Sequence, residues 1–141
     1  MKELWLEKEP SAVYGGKINQ LINLCQLGLS VPKALILPAD QVMDWLRAAL
    51  PEYSKQGLQE LIKLGKEGIA ERLQQYPLDP AWKRELVAFC QENQAYIVRS
   101  SALLEDGQAM SFAGQYDSIG DCQSLSEIEQ GIRSCLLSLF N

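Results

Sequence analysis

The stretch YIVRSSALLEDGQAMSFAG, residues Tyr96 to Gly114, holds the features on which the interpretation of the fold depends. The apolar run AYIV, from Ala95 to Val98, predicts a buried strand. Arg99 follows directly, and small residues then gather around one phenylalanine up to Gly114. An arginine at a strand end offers a planar fork of donors, and a turn of small residues lets backbone N–H groups approach the same oxygens. The stretch is therefore a candidate anion site.

Structural explanations compete with this one. Arg99 can instead form an ion pair with Glu105 or Asp106, and Gly114 can mark a close contact between strands. Spacing alone does not separate these interpretations from phosphate binding. The two carboxylates are neighbours, which on a strand would point to opposite faces. We therefore expect them to serve as a cap or in a turn, and not as an acid–base pair or metal ligands.

A second candidate anion site lies near the start of the chain. Gly15-Gly16-Lys17 precedes the helical pattern INQLINLCQLG, which ends at Gly28, a residue typical just beyond a helix C-terminus. The first N–H groups of a helix and its dipole favour an anion, and a lysine adds a mobile positive charge. The motif lacks the spacing of a Walker loop, and a lysine in a first turn is commonly a solvated surface residue. Both interpretations remain open.

Periodicity and end signals predict a mixed α+β fold with a helical middle. Helices are predicted at 15–28, 40–50, 54–76, 79–93 and from 124 onward, and strands at 34–37, 95–98 and 112–119. Asp40 is expected to cap the second helix, Asp79 with Pro80 the fourth, and a Ser124–Glu127 capping box the last. The long third segment is expected to bend near Gly65 or Gly68. Trp45 and Trp82 lie on apolar stripes that predict core positions.

Composition narrows the classes of function. The chain has 141 residues, 47% of them hydrophobic, a net charge of −5 and no cluster of basic residues, so nucleic acid is not an expected partner. No window approaches the roughly 20 apolar residues of a membrane span, and the start of the chain does not read as a targeting segment, so a cytoplasmic protein is expected. Histidine is absent, and the four cysteines are widely spaced, which predicts buried thiols and no zinc or redox motif.

Taken together, the two candidate sites give the chain a family resemblance. In chain order it resembles the opening half of the ATP-binding domain shared by pyruvate phosphate dikinase, phosphoenolpyruvate synthase and rifampicin phosphotransferase. The blocks that carry the resemblance are GGK at 15–17, LGLSVP at 27–32, VRSSA at 98–102 with ED at 105–106, and SFAGQ at 111–115. Four blocks in the family's order are far more specific than any one of them.

The resemblance implies roles for four residues. Lys17 and Arg99 match the family's phosphate-contacting lysine and arginine, and Gly114 matches the glycine of the loop that covers the phosphates. Ser118 stands where relatives have a small hydroxyl residue near the nucleotide. The chain departs from the family at Ile18, where a glycine is common, and this difference bears on the geometry of the loop.

The resemblance also implies a larger assembly. It predicts an α+β, ATP-grasp-like N-terminal subdomain with a small, mainly antiparallel sheet and several helices, spanning 1–141 as a fragment of a longer protein. ATP would be split to AMP, with a phosphoryl group passing to a histidine on a separate domain. Magnesium would arrive with ATP on ligands outside this chain, so no catalytic or metal-binding residue is assigned. The isolated chain is expected to be inactive.

Three functions are consistent with this interpretation. The first is the ATP-binding portion of a phosphoenolpyruvate synthase-like phosphotransferase, which makes phosphoenolpyruvate and phosphate from ATP, pyruvate and water. The second is a dikinase for another acceptor, such as rifampicin. The third is a stand-alone binding module of the same fold without catalysis. The acceptor is recognised elsewhere in such proteins, so this segment does not choose between the first two functions.

Overall fold

A computed structural model describes residues 2–3, 14–53, 57–101 and 118–140 of the chain. Within them lie four short strands and five helices: β1 (Lys2–Glu3), α1 (Gly16–Gln26), β2 (Leu35–Ile36), α2 (Ala39–Ala49), α3 (Leu58–Gln75), α4 (Pro80–Phe89), β3 (Tyr96–Arg99), β4 (Ser118–Cys122) and α5 (Leu125–Leu137). A 3-10 turn at Ser138–Phe140 follows α5. The predicted α+β class is confirmed.

The strands form two separate antiparallel pairs. β1 pairs with β2, and β3 pairs with β4. In the second pair Tyr96 lies opposite Cys122 and Arg99 opposite Ser118, with an irregularity in register between Tyr96 and Val98. The predicted strand at 112–119 falls largely on residues outside the described ranges, and the described strand β4 extends beyond it to Cys122. Sequence reasoning did not predict β1, which has only two residues.

Most of the apolar core lies among α2, α3, α4 and α5. Helix α5 also packs on β3 and β4, where Val98 and Ile119 approach Gly131 of the helix. Trp45 and Trp82 are both buried in this core, as predicted, with ring centroids 6.1 Å apart. The fully buried residues at its centre are Leu46, Leu50, Leu73 and Leu78. This core fixes the position of β3, whose end leads into the candidate site.

Two of the predicted helix starts have the expected caps. The Asp79 carboxylate accepts a hydrogen bond from Ala81 N at 2.7 Å, and Pro80 occupies the first turn of α4. Ser124 and Glu127 form a complete capping box at α5. The prediction for Asp40 is wrong: α2 begins after Pro38, which takes the cap position, and Asp40 lies in the first turn with its carboxylate bound to Gln41 N. A negative charge there still suits the positive end of the helix.

Glycines shape two helices as the sequence suggested. Gly65 has φ 65° and ψ 175°, which interrupts α3 and places the expected bend there and not at Gly68. Gly28 follows α1 with φ 78°, while Gly28 N and Leu29 N donate to the carbonyls of Cys25 and Leu24. This pair of bonds is the Schellman arrangement, which glycine favours because it has no Cβ.

A second, smaller apolar cluster joins α1 to β2. Ile22 and Ile36 are buried at its centre, and four partly buried residues pack on them, namely Tyr14, Ile18, Leu21 and Ala34. Helix α1 therefore packs mainly on this small cluster, and its N-terminal end also contacts Ser100 and Ser101.

Candidate anion site between helix α1 and strand β3

The N-terminal end of α1 lies against the end of β3, although the two are far apart in sequence. Lys17 Nζ donates a hydrogen bond to the Ser100 carbonyl at 3.2 Å, across 83 residues of chain. Ser100 directly follows Arg99, the last residue of β3. The two motifs that sequence reasoning selected separately, Gly15-Gly16-Lys17 and VRSSA, are therefore in contact.

A serine from the second motif caps the helix that begins at the first. Gly15 occupies the N-cap position of α1 and makes no side-chain cap. Instead, Ile18 N donates to Ser101 Oγ at 3.2 Å. This N–H belongs to the third helical residue, the position that an N-cap side chain ordinarily binds. A hydroxyl from the end of β3 thus supplies the cap that Gly15 lacks.

Close packing at Gly15 accompanies this bond. Gly15 is buried, and a Cβ built on it would collide with the carbonyl group of Ser101 and lie 2.6 Å from its Oγ. The backbone of α1 can therefore approach Ser101 this closely only with glycine at the position. The φ of −72° at Gly15 is open to other residues, so space and not backbone conformation sets this requirement.

Arg99 and Ser118 lie side by side at the same end of the β3–β4 pair. They are partners in the antiparallel register, so their Cα atoms face each other across the two strands. Both residues are exposed. Within the described ranges the Arg99 side chain has no hydrogen bond or ion pair, while the carboxylates of Glu105 and Asp106, its predicted alternative partners, lie outside those ranges.

The structure thus brings three of the four predicted residues to one region and leaves one undescribed. Lys17 contacts the residue that follows Arg99, and Arg99 lies opposite Ser118. Gly114 falls outside the described residues. The first turn of α1 contains no acidic residue, so the positive end of the helix and the Lys17 ammonium act together. This combination of donors and positive charge suits an anion with several oxygens, such as a phosphate chain.

Two serines of the region were assigned no role by sequence reasoning. Ser101 provides the cap, and Ser100 accepts from Lys17 through its carbonyl while its own Oγ is buried without a hydrogen-bond partner in the described part of the chain. No local pattern could have identified the Ser101 bond, because its partner lies 83 residues away. The only signal was that both motifs occur together in the family's order.

Other chemistry has less support among the described residues. Across 2–3, 14–53, 57–101 and 118–140, no group of three or more His, Cys, Asp or Glu side chains could hold a metal ion. Cys122 and Cys135 are buried, as predicted, whereas Cys25 and Cys90 are only partly buried. Burial, together with the carboxylates of Glu127 and Asp121, raises the pKa of the Cys122 thiol, and burial raises the pKa of Cys90. These two thiols are therefore disfavoured as nucleophiles near neutral pH.

A groove between α2 and α4 lies away from this region and has a volume of about 400 Å³. Asp44, Asp79 and Glu85 contribute to its lining, beside the edges of Trp45 and Trp82. Because its charged residues are acidic, the groove is unsuited to a phosphate. None of the helices in the described ranges has the length and apolar character needed to cross a membrane.

Comparison with known proteins gives a consistent set of relatives. The family model for the pyruvate phosphate dikinase AMP/ATP-binding domain matches residues 11–141. The chain is 33% identical over 131 residues to the prodigiosin synthesizing transferase PigC of Serratia marcescens, covering 89% of this chain and 14% of that protein. It is 29% identical over 147 residues to the phosphoenolpyruvate synthase of Escherichia coli strain K12, covering 90% of this chain and 18% of that protein. No solved structure gives a significant match.

Proposed function

Because the chain belongs to the family of pyruvate phosphate dikinase AMP/ATP-binding domains, we propose that the α1–β3 region is the part of its ATP site that holds the phosphates. The contact between Lys17 and the end of β3 carries this proposal, since it joins two cationic motifs that are separated by 83 residues. Lys17 and Arg99 would neutralise phosphate oxygens, Ser118 would lie near the nucleotide, and the loop with Gly114 would cover the phosphates. Positioning and charge neutralisation are the main contributions of a protein to phosphoryl transfer.

The proposed parent activity is that of a phosphoenolpyruvate synthase-like phosphotransferase. The chain spans less than a fifth of the curated relatives that it matches, at 14% and 18% of their lengths. We propose that residues 1–141 form the N-terminal part of an ATP-grasp-like domain in a longer cytoplasmic protein. The phosphoryl-carrying histidine would belong to another part of that protein, since this chain contains no histidine.

Magnesium enters this proposal only as the companion of ATP. The described residues contain no group of carboxylates that could hold the ion, so they do not fit a protein-bound metal site. The Ser101 hydroxyl and the Ser100 carbonyl are both engaged in hydrogen bonds within the fold. No step in the proposed role of Lys17 or Arg99 depends on a metal ligand from this chain.

Substitution of the two cations in the full-length natural protein tests the proposal. Lys17→Ala and Arg99→Ala should each reduce ATP-dependent formation of AMP by at least about a hundredfold, the cost of removing one group that stabilises transition-state charge. Lys63→Ala and Arg47→Ala are matched controls, because both side chains are exposed on helices away from the site and, among the described residues, take part only in local i,i+3 ion pairs. Near wild-type rates for both test variants would refute the assignment.

One observation supports an alternative function, in which the phosphoryl acceptor is not pyruvate. The identity to a prodigiosin synthesizing transferase is 33%, slightly above the 29% to phosphoenolpyruvate synthase. The parent protein could therefore transfer the phosphoryl group to an acceptor other than pyruvate. Incubating the full-length protein with ATP, with and without pyruvate, separates the two functions. Phosphoenolpyruvate that appears only with pyruvate supports the first, whereas ATP cleavage without that product supports the second.

A further inference from the structure

We infer that Ser101 is a positioning residue of the phosphate site, which sets the location of Lys17 by capping helix α1 from the end of β3. This inference rests on the proposed function. It goes beyond the four residues already assigned to ATP, because Ser101 acts on the helix that carries one of them and not on the nucleotide.

The first observation is that the start of α1 has no cap of its own. Its N-cap residue is Gly15, and its first turn contains no acidic side chain. The Ile18 N–H is instead bound by Ser101 Oγ at 3.2 Å. Without that hydroxyl, the first turn of α1 would lose its cap, and helix starts without caps fray.

The second observation is that the capped turn is the one that carries Lys17. Lys17 immediately precedes Ile18, and its ammonium reaches the Ser100 carbonyl at 3.2 Å. The two donors, Lys17 and Ile18, are neighbours in the chain, and so are their acceptors, Ser100 and Ser101. The lysine can leave the carbonyl to meet a phosphate, whereas the Ile18–Ser101 bond can persist and hold the turn in register with Arg99.

The third observation is the space at Gly15. A Cβ at this position would collide with the Ser101 carbonyl, so the close approach of α1 to the end of β3 requires glycine there. Gly15 and Ser101 therefore act on the same contact by different means, one by lacking a side chain and the other by supplying a hydroxyl. Together they fix the distance between the two cationic motifs.

The test compares ATP affinity among variants of the full-length natural protein, at a temperature where circular dichroism shows all of them folded. Ser101→Ala should raise the ATP dissociation constant roughly three- to tenfold, the factor that corresponds to one hydrogen bond of ordinary strength. Ser101→Thr, which keeps the hydroxyl, should return it to within about twofold of wild type. Gly15→Ala should weaken binding at least as much as Ser101→Ala.

Matched controls use the same substitutions elsewhere in the chain. Ser30→Ala removes an exposed hydroxyl from the loop after α1. Gly120→Ala adds a methyl group whose nearest neighbour, Ile97 Cγ1, lies 4.0 Å away. Both controls should bind ATP as the wild type does.

The outcomes separate this inference from the function on which it rests. If Lys17→Ala loses ATP binding while Ser101→Ala and Gly15→Ala keep wild-type affinity, the positioning role is wrong and the phosphate site stands. If Ser101→Thr binds as weakly as Ser101→Ala, the hydroxyl is not what matters, and the inference is again overturned. A wild-type protein that binds no ATP would overturn the proposed function and this inference with it.

Discussion

Arg133 links α5 to the end of α3 by hydrogen bonds to two backbone carbonyls. Its Nε donates to the Leu73 carbonyl and one terminal nitrogen to the Tyr76 carbonyl, both at 2.9 Å. The side chain is only 11% exposed and also lies 3.8 Å from Glu129. A cation bound to the last carbonyls of a helix complements both their lone pairs and the helix dipole.

Replacing this arginine should therefore destabilise the fold. Arg133→Met keeps much of the side-chain volume but removes the donors of two partly buried carbonyls, so we expect the free energy of unfolding to fall by about 2–3 kcal/mol. Arg47→Met is the control, since its ion pair with Asp44 is largely exposed and should change that free energy by less than about 0.5 kcal/mol. Urea denaturation followed by tryptophan fluorescence measures both, and equal losses for the two variants would contradict this account of Arg133.

Single residues also show where sequence reasoning reached its limit. Asp79 and Ser124 are helix caps, as predicted. These caps could be predicted because each side chain binds a backbone N–H within three residues of it along the chain. Asp40 was predicted in the same way, but Pro38 already supplies an extended φ and ψ before α2, so the helix begins one residue before Asp40. The Ser101 cap could not be predicted at all, since it depends on a tertiary contact and not on local spacing.

The bend in α3 is a property of one glycine rather than of the helix as a whole. Gly65 combines φ 65° with ψ 175°, a region that is open in practice only to glycine. Gly65→Ala should therefore lower the free energy of unfolding by about 1–3 kcal/mol. Gly68→Ala is the matched comparison: its φ is not positive, and its added Cβ would lie 3.2 Å from Leu64 Cβ, a contact that a shift of a few tenths of an ångström relieves.

The two glycine variants should differ in the direction or the size of their effect on the free energy of unfolding. Gly68→Ala gains up to about 1 kcal/mol of helix propensity, which offsets the crowding against Leu64, so its free energy of unfolding should stay within about 1 kcal/mol of wild type. Thermal and urea denaturation of both variants measure the difference. A Gly65→Ala protein as stable as the Gly68→Ala protein would show that the bend is not held at Gly65.

At the scale of elements, the sequence predicted whether a segment is a helix or a strand better than it predicted which elements pack or pair with each other. The helices α1, α4 and α5 were anticipated from periodicity and end signals, and the bend in α3 was narrowed to two glycines. The sequence did not show which of Gly65 and Gly68 is the site of the bend, because a glycine at either position costs about the same free energy in an isolated helix. Packing against other elements determines where the bend forms. Strand β1 was missed because two residues cannot show alternation, and it exists through its pairing with β2.

At the scale of the whole molecule, the described residues form two apolar clusters of unequal size. The larger includes fourteen buried residues from α2 to α5 and β4, whereas the smaller has Ile22 and Ile36 at its centre. Three leucines near the end of α1 are exposed, at 38% for Leu24, 75% for Leu27 and 56% for Leu29. Because local stability follows the amount of buried apolar contact, α1 should open more readily than α5.

Hydrogen exchange in the full-length natural protein tests this difference and its link to the proposed ATP site. Without ATP, amides of α1 should exchange faster than those of α5, since α1 rests on the smaller cluster. ATP held between Lys17 on α1 and Arg99 on β3 would tie the helix to the larger core, so its addition should slow exchange in α1 more than in α5. Lys17→Ala should abolish the slowing, measured against the ATP-free exchange of the same variant. If α1 is already as protected as α5, the ranking of the two clusters is wrong, and if ATP slows neither helix, the bridging role of Lys17 and Arg99 is refuted.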